Sequence, residues 1–254
     1  MSSLLTNPRI AAEFLVWFLG LGLQVAILFR GVAAGLWRHY GFFYAQIAFS
    51  FASSAPALWV YLVHRAAFSA YYWETEFLTA FAACGILLDI LRHAFALTAA
   101  TRIFASAARY TVYAAVGLFL VLYIVGHGGY APLSHLIVLE RDFRFVQTAL
   151  LLGVTAAVFY FGVPLGRNLR GMLVGYGLYI ASNLVTLSLE SRFPASFDKV
   201  WNFLQPAIYC ASTVMYLVYL WSYYPPPKLE GAAEITKQAD ELLHSAPERL
   251  RLLE

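Results

Sequence analysis

The sequence predicts an all-α integral membrane protein, a bundle of seven transmembrane helices followed by a short tail. Of its 254 residues, 61% are hydrophobic and 12% are charged, whereas a soluble domain carries about 25% charged residues. Seven apolar segments each approach the roughly 20 residues that a spanning helix needs. They cover residues 9–29, 41–63, 77–98, 108–126, 142–164, 171–190 and 201–223. Each run is continuous, which favours helices over barrel strands, since barrel strands alternate apolar and polar residues.

The first three segments carry features expected of membrane helices. The first is too long for a signal peptide, so we predict a retained helix. The second contains Ser50, Ser53, Ser54 and Pro56, which predict a kink whose freed backbone groups bond to hydroxyls. Such a kink either widens a pocket or has no function. The third follows an aromatic group at residues 71–73, a typical anchor at the membrane interface.

The other four segments are bounded by turn and breaker residues. A turn-rich stretch, residues 126–144, predicts the longest outer loop, between the fourth and fifth helices. Its apolar part, residues 136–139, is expected either to cover the bundle mouth as a lid or to lie on the surface. Gly171 and Gly175 in the sixth segment have a small-xxx-small spacing, which predicts close helix packing. A run of three prolines from Pro225 ends the seventh helix.

These boundaries divide the chain into a transmembrane domain, residues 1–224, and a cytoplasmic tail, residues 225–254. Within the tail, residues 232–244 predict a short amphipathic helix, because their apolar side chains share one face. Acidic residues on the other side disfavour binding to anionic lipid. We expect this helix to dock on the bundle or on another protein.

The basic residues predict an N-terminus outside the membrane and a C-terminus inside, because cytoplasmic loops carry the excess of Lys and Arg. With this orientation, the inner loops and the tail hold Arg30, Arg38, Arg92, Arg102, Arg109, Arg167, Arg170, Lys228, Lys237, Arg249 and Arg251. The outer side holds Arg9, Arg65, Arg141, Arg144, Arg192 and Lys199. The tail supplies most of the excess of basic residues on the inner side.

Polar residues in the outer half of the bundle predict a ligand-binding pocket, since an ionisable group inside a bilayer costs at least about 2.5–3.5 kcal/mol and needs a reason to be there. The candidate ligand-binding residues are Glu13, Glu76, Gln147, Glu190, Asn202 and Gln205. If the seven helices close into a ring, these side chains converge. The alternative is a belt of interfacial salt bridges that joins the outer helix ends.

A second group, Asp89, Arg92 and His93, lies near the inner end of the third segment. The spacings i, i+3 and i+4 place the three side chains on one helix face. One interpretation is a local ion pair that neutralises Asp89. The other is a switch, in which Asp89 or Arg92 pairs with another helix and the pair breaks when the packing changes.

Several functional classes lack their residues in this sequence. No lysine lies inside a segment, which excludes a retinal Schiff base. The histidines lie at segment ends, which disfavours a membrane cytochrome. There is no metal motif, catalytic motif or stripe of basic residues suited to nucleic acid. We therefore predict neither an enzyme nor a bound cofactor.

The function that remains favoured is a sensory or small-ligand-binding membrane module, which acts through a membrane or cytoplasmic protein partner. The alternative is a structural or accessory subunit of a larger membrane complex. A homo-oligomer is compatible with both functions. Beyond the lipid bilayer itself, the sequence names no partner. The alanine-rich composition favours a bacterial inner membrane as the location.

Overall fold

A computed structural model describes residues 8–95, 99–127, 133–192 and 194–224, and these are helical without any strand. The predicted all-α architecture is confirmed. Seven α-helices follow one another, with a single 3-10 turn, Leu36–Arg38, after the first. They are α1 (Pro8–Ala33), α2 (Gly41–Val63), α3 (Phe68–Ala94), α4 (Ala99–His127), α5 (Leu133–Tyr160), α6 (Arg167–Arg192) and α7 (Pro194–Tyr219). The amphipathic helix predicted at residues 232–244 lies outside the described residues.

Five helices, α1 to α5, are long and apolar enough to cross a membrane. The apolar spans run over Phe14–Ala33, Gly41–Val63, Phe68–Ala94, Thr101–Gly126 and Leu136–Tyr160. These spans meet the requirement by their length and composition, and they are counted within the described part of the chain. Five such helices indicate a membrane protein, as the composition predicted.

Consecutive helices run antiparallel, so their ends meet at two faces of the bundle. We call the face where α1, α3, α5 and α7 begin the N-terminal face, and the opposite one the C-terminal face. At the C-terminal face, Arg30 at the end of α1 donates from Nε to the carbonyl oxygen of Trp221, which follows α7. There the His39 ring also stacks on Tyr223, with centroids 4.3 Å apart. These contacts hold the first and last helices together.

The central helix is α3, which packs against α2, α4, α5 and α6. Of its apolar span, 72% is buried inside the bundle, against 11% for α4. Helix α4 touches α3 and α5 and lies at the periphery, while α7 fits between α1 and α6. The helices α1, α2, α3, α6 and α7 therefore surround a common interior.

Glycines bring α6 and α7 into close contact. A β-carbon at Gly171 would overlap Cβ of Tyr219, and one at Gly175 would lie 2.5 Å from Cε1 of Tyr216. The two tyrosines of α7 thus fill notches that the missing side chains leave on α6. The packing role predicted from the small-xxx-small spacing is confirmed.

The outer loop predicted at residues 126–144 is wrong in most of its length. Helix α5 begins at Leu133, and the proposed lid, residues 136–139, forms one of its first turns. Leu136 and Leu139 are buried in the bundle core instead of lying over it. The prediction failed because polar residues in the following turns face the protein interior. A hydropathy profile does not distinguish such residues from those of a solvated loop.

Candidate functional site

The most deeply buried charge cluster centres on Arg144 of α5, whose side chain is completely buried. Its Nη2 atom donates to Oε1 of Glu76 at 3.0 Å, to Oε1 of Glu140 at 3.3 Å and to the Tyr179 hydroxyl at 3.3 Å. The guanidinium also lies over the Tyr179 ring, 5.1 Å from its centroid. One arginine thereby joins α3, α5 and α6. The sequence had placed Arg144 with the outer-loop residues, and that placement is wrong.

Glu76 links this cluster to a cavity. Its Oε1 accepts a second hydrogen bond, from the Tyr179 hydroxyl at 2.9 Å, so this oxygen is held on the Arg144 side. Among the described residues no hydrogen bond reaches its other oxygen, Oε2. The Glu76 side chain keeps 17% of its surface exposed although its partner Arg144 is fully buried. We conclude that the carboxylate turns one oxygen toward open space.

That open space is a cavity of about 160 Å³ enclosed by α1, α2, α3, α6 and α7. Its polar lining comprises Gln24, Ser50, Ser53, Ser54, Tyr72, Glu76, Thr79, Tyr179, Gln205 and Tyr209. Within the described part of the chain, Glu76 is the one charged residue of this lining. The cavity is therefore small, with a mixed polar and apolar surface and a negative charge at one wall.

Amide and hydroxyl groups around the cavity are oriented by bonds between helices. Gln24 of α1 donates from Nε2 to the Tyr209 hydroxyl of α7 at 2.6 Å. Tyr72 of α3 donates to Oε1 of Gln205 in α7. Gln24 is 4% exposed, and its buried Oε1 has no hydrogen-bond partner among the described residues. The Glu76 carboxylate is the charged acceptor of the lining that keeps exposed surface.

The predicted ligand-binding residues are only partly brought together. Glu76 and Gln205 both line the cavity. Gln147 is fully buried elsewhere, where its Nε2 donates to the Ala80 carbonyl at 2.6 Å and contacts Sγ of Cys84 at 3.2 Å. Glu13, Glu190 and Asn202 belong to α1, α6 and α7, but their side chains lie outside the described part.

Several lining residues escaped the sequence analysis. Gln24 was not considered, and Tyr72 was read with its neighbours as an interfacial anchor. Tyr179 and Tyr209 carried no signal beyond apolar helical character, and the cavity places their hydroxyls inside the protein. The three serines near Pro56, which the sequence associated with a kink, also line the cavity.

At the C-terminal face, Asp89 caps a neighbouring helix. It is fully buried, and its Oδ2 accepts a hydrogen bond from the backbone N–H of Phe43, in the first turn of α2, at 2.9 Å. The first N–H groups of a helix lack partners within it, and a carboxylate there also interacts favourably with the helix dipole. Asp89 therefore joins α3 to the beginning of α2.

The other members of the predicted switch lie nearby but differ in role. His93 approaches the backbone oxygen of Asp89 through Nδ1 at 2.8 Å, and its ring packs against Tyr40, with centroids 5.1 Å apart. Arg92 is exposed. The three residues thus share one region, where a buried cap, a packed imidazole and an exposed guanidinium are adjacent.

The cap predicts a stability effect. Asp89→Ala should destabilise the bundle by about 1–3 kcal/mol, because it leaves a buried backbone N–H without an acceptor. Asp89→Asn should lose less, since its amide oxygen can still accept. The measurement is the unfolding midpoint in mixed detergent micelles. Asp142→Ala is the matched control, because Asp142 is 53% exposed and pairs with its neighbour Arg141. Equal losses for Asp89→Ala and Asp142→Ala would contradict the capping role.

No protein-family model, curated protein or solved structure matches this chain.

Proposed function

We propose that this chain is a membrane module that binds a small molecule bearing a protonated amine in the cavity beside Glu76. The observation that carries the proposal is that the two oxygens of the Glu76 carboxylate have different surroundings. Its Oε1 is held by Arg144 and Tyr179, while its Oε2 faces a cavity whose described lining holds no cation. An ammonium group supplies both the charge and the N–H donors that this wall lacks.

The size of the cavity limits the ligand. An apolar cavity of about 150 Å³ binds benzene, so a cavity of about 160 Å³ accepts a molecule of similar size. An amine of this size can reach Glu76 on α3 and Gln24 on α1 together, because both line the cavity. Such a ligand bridges helices on opposite sides of the interior, and its binding favours one packing of the bundle.

We propose that all seven helices cross the membrane, with the N-terminus outside. Helices α6 and α7 are each 26 residues long, enough to span a bilayer. Both pack within the ring that α1, α2 and α3 complete. The excess of basic residues toward the C-terminal face supports this orientation. The cavity then lies in the outer half, and the Asp89 region lies toward the inner surface.

A protein partner bound at the inner surface would respond to changes in the packing of the bundle. The exposed Arg92 beside the Asp89 cap offers a contact that moves whenever α3 shifts against α2. Helix α3 carries both Glu76 and Asp89 and touches four other helices. It is therefore the element through which an occupied cavity could alter the opposite face.

The test is binding of n-butylammonium to the purified protein in lipid nanodiscs, followed by calorimetry, with n-butanol as the neutral comparison. We expect saturable binding of the amine, and at least a tenfold weaker binding by Glu76→Gln, since losing one charge-assisted hydrogen bond costs about 1.5–3 kcal/mol. Glu74→Gln, an identical change two residues away at an exposed position, should bind as the wild type does.

Two results would overturn the proposal. One is the absence of saturable binding by the wild-type protein. The other is equal affinity for Glu76→Gln and wild type, because the amine then binds elsewhere or dissolves in the lipid. A circular dichroism spectrum and an unfolding midpoint close to wild type would establish that Glu76→Gln remains folded.

A second candidate function, an accessory subunit of a larger membrane complex, is favoured by α4. This peripheral helix exposes large apolar and aromatic side chains, including Ile103, Tyr110, Leu118, Ile124 and Val125. A subunit partner that covers them should co-purify in fixed stoichiometry and be released by the double change Tyr110→Ala and Ile124→Ala. Release of this partner without any effect of Glu76→Gln would favour the subunit function over ligand binding.

A further inference from the structure

A second, larger concavity lies between α5 and α6, away from the cavity beside Glu76. Its volume is about 750 Å³, and it is open to the bundle surface. Apolar side chains from both helices form its walls, among them Leu151, Val158, Phe159, Leu173 and Ile180. The turn between the two helices closes one end. We call this concavity the α5–α6 groove.

The α5–α6 groove is chemically apolar along its length. Its two threonines satisfy their own hydroxyls, since Thr148 donates to the Arg144 carbonyl at 2.8 Å and Thr155 to the Leu151 carbonyl at 2.7 Å. Gly177 adds no side chain to the α6 wall, at a point beside Leu151 of α5. A linear hydrocarbon fits such a surface, and a polar ligand does not.

One charged residue, Arg170, lines the α5–α6 groove, and it stands at the end nearest the C-terminal face. It belongs to the first turn of α6 and is exposed. From Arg170 to Ala181, the last lining residue of α6, the helix rises roughly 16 Å at about 1.5 Å per residue. That length is about half of the roughly 30 Å hydrocarbon core of a bilayer. The groove therefore has the depth of one membrane leaflet.

We infer that the α5–α6 groove is a binding site for an anionic phospholipid of the leaflet at the C-terminal face. One acyl chain lies along the apolar walls, and the headgroup phosphate meets the guanidinium of Arg170. Within a bilayer the acyl chain gains mainly packing, because the surrounding lipid is already apolar. The charge then decides which lipid occupies the groove, and basic pockets between transmembrane helices are known to favour anionic headgroups.

The charge and the length favour a lipid over a second protein chain. A helix from another copy would place apolar residues against Arg170, because the described part of the C-terminal face has no exposed acid, whereas a phospholipid has its phosphate one leaflet depth from the chain end. This site uses none of the residues that form the cavity beside Glu76. The inference is thus independent of the proposed ligand.

The experiment is native mass spectrometry of protein released from nanodiscs that contain equal amounts of phosphatidylglycerol and phosphatidylcholine. We expect one retained phosphatidylglycerol per chain, preferred over phosphatidylcholine by at least about fivefold, since one arginine near the surface is worth about 1 kcal/mol. Arg170→Gln should remove this preference. Arg38→Gln, at an exposed arginine of the same face, should retain it.

A second variant tests the inference by filling the groove with a large side chain. Val174 is 47% exposed and lines the groove, so Val174→Trp should displace the lipid chain without disturbing the core. We expect this variant to retain neither lipid. The inference is overturned if phosphatidylglycerol and phosphatidylcholine are retained equally, if Arg170→Gln and Arg38→Gln behave alike, or if Val174→Trp keeps its lipid. A wild-type dimer that Val174→Trp converts to a monomer would assign the groove to a second copy instead.

Discussion

An Arg144→Leu protein should lose about 3–5 kcal/mol of stability, the usual cost of removing one partner from a buried ion pair. The leucine fills most of the space but leaves the carboxylates of Glu76 and Glu140 without the guanidinium that joins them. It also removes a link among three helices. The measurement is the unfolding midpoint in mixed micelles, and we expect low yield of folded protein as well.

Matched variants show whether the loss of stability comes from removing any arginine or from removing this buried one. Arg141→Leu removes an arginine three residues earlier that is 36% exposed and pairs with Asp142, and it should cost less than about 1 kcal/mol. The double change Arg144→Leu with Glu76→Gln should recover part of the loss, because one unpaired carboxylate is gone. Equal stability of Arg144→Leu and Arg141→Leu would show that the buried cluster is not a structural centre.

A Gly171→Leu protein should lose about 3 kcal/mol or more, at the upper end of the cost of overpacking a core. Its β-carbon would overlap Cβ of Tyr219, an atom fixed to the backbone of α7 that no rotamer change can move. The two helices must therefore separate. Loss of α6–α7 contact should appear as a lower unfolding midpoint and as faster proteolysis of the chain near α7.

The control for this change is Gly153→Leu on α5, where a β-carbon would meet nothing within 4 Å. Both substitutions replace a helical glycine by leucine, so they share the gain in helix propensity of about 1 kcal/mol. Only the Gly171 variant should be destabilised. If the two proteins unfold at the same point, the close contact between α6 and α7 is not required for the fold.

The accuracy of the sequence-based boundaries depended on where polar residues face. Helix α2, which contains no charged residue, was predicted at residues 41–63 and forms Gly41–Val63. Helix α3 begins at Phe68, nine residues before the predicted start, and α5 begins at Leu133 instead of residue 142. In both cases the missed turns carry a charged residue, Glu76 in α3 and Glu140 in α5, that pairs with Arg144 inside the bundle. An internal ion pair and a solvated loop look alike in a hydropathy profile.

The candidate site was predictable only where a single residue was unusual by itself. Glu76 and Gln205 were identified because charged or amide groups in apolar segments are costly. Tyr179 and Tyr209 were not, since a tyrosine within an apolar helix has the same sequence signature whether its hydroxyl faces headgroups or a cavity. Similarly, the position of Asp89 at the start of α2 depends on a contact between residues 46 positions apart, which no local pattern contains.

The enclosure of the cavity by α1 and α7 has a consequence for biosynthesis. A nascent chain is synthesised from its N-terminus, so α1 exists before α7. Until α7 arrives, Gln24 lacks its Tyr209 partner, Tyr72 lacks Gln205 and Arg30 lacks the Trp221 carbonyl. The partly inserted intermediate therefore exposes unsatisfied polar groups to lipid, the kind of surface that membrane chaperones and quality-control proteases can recognise.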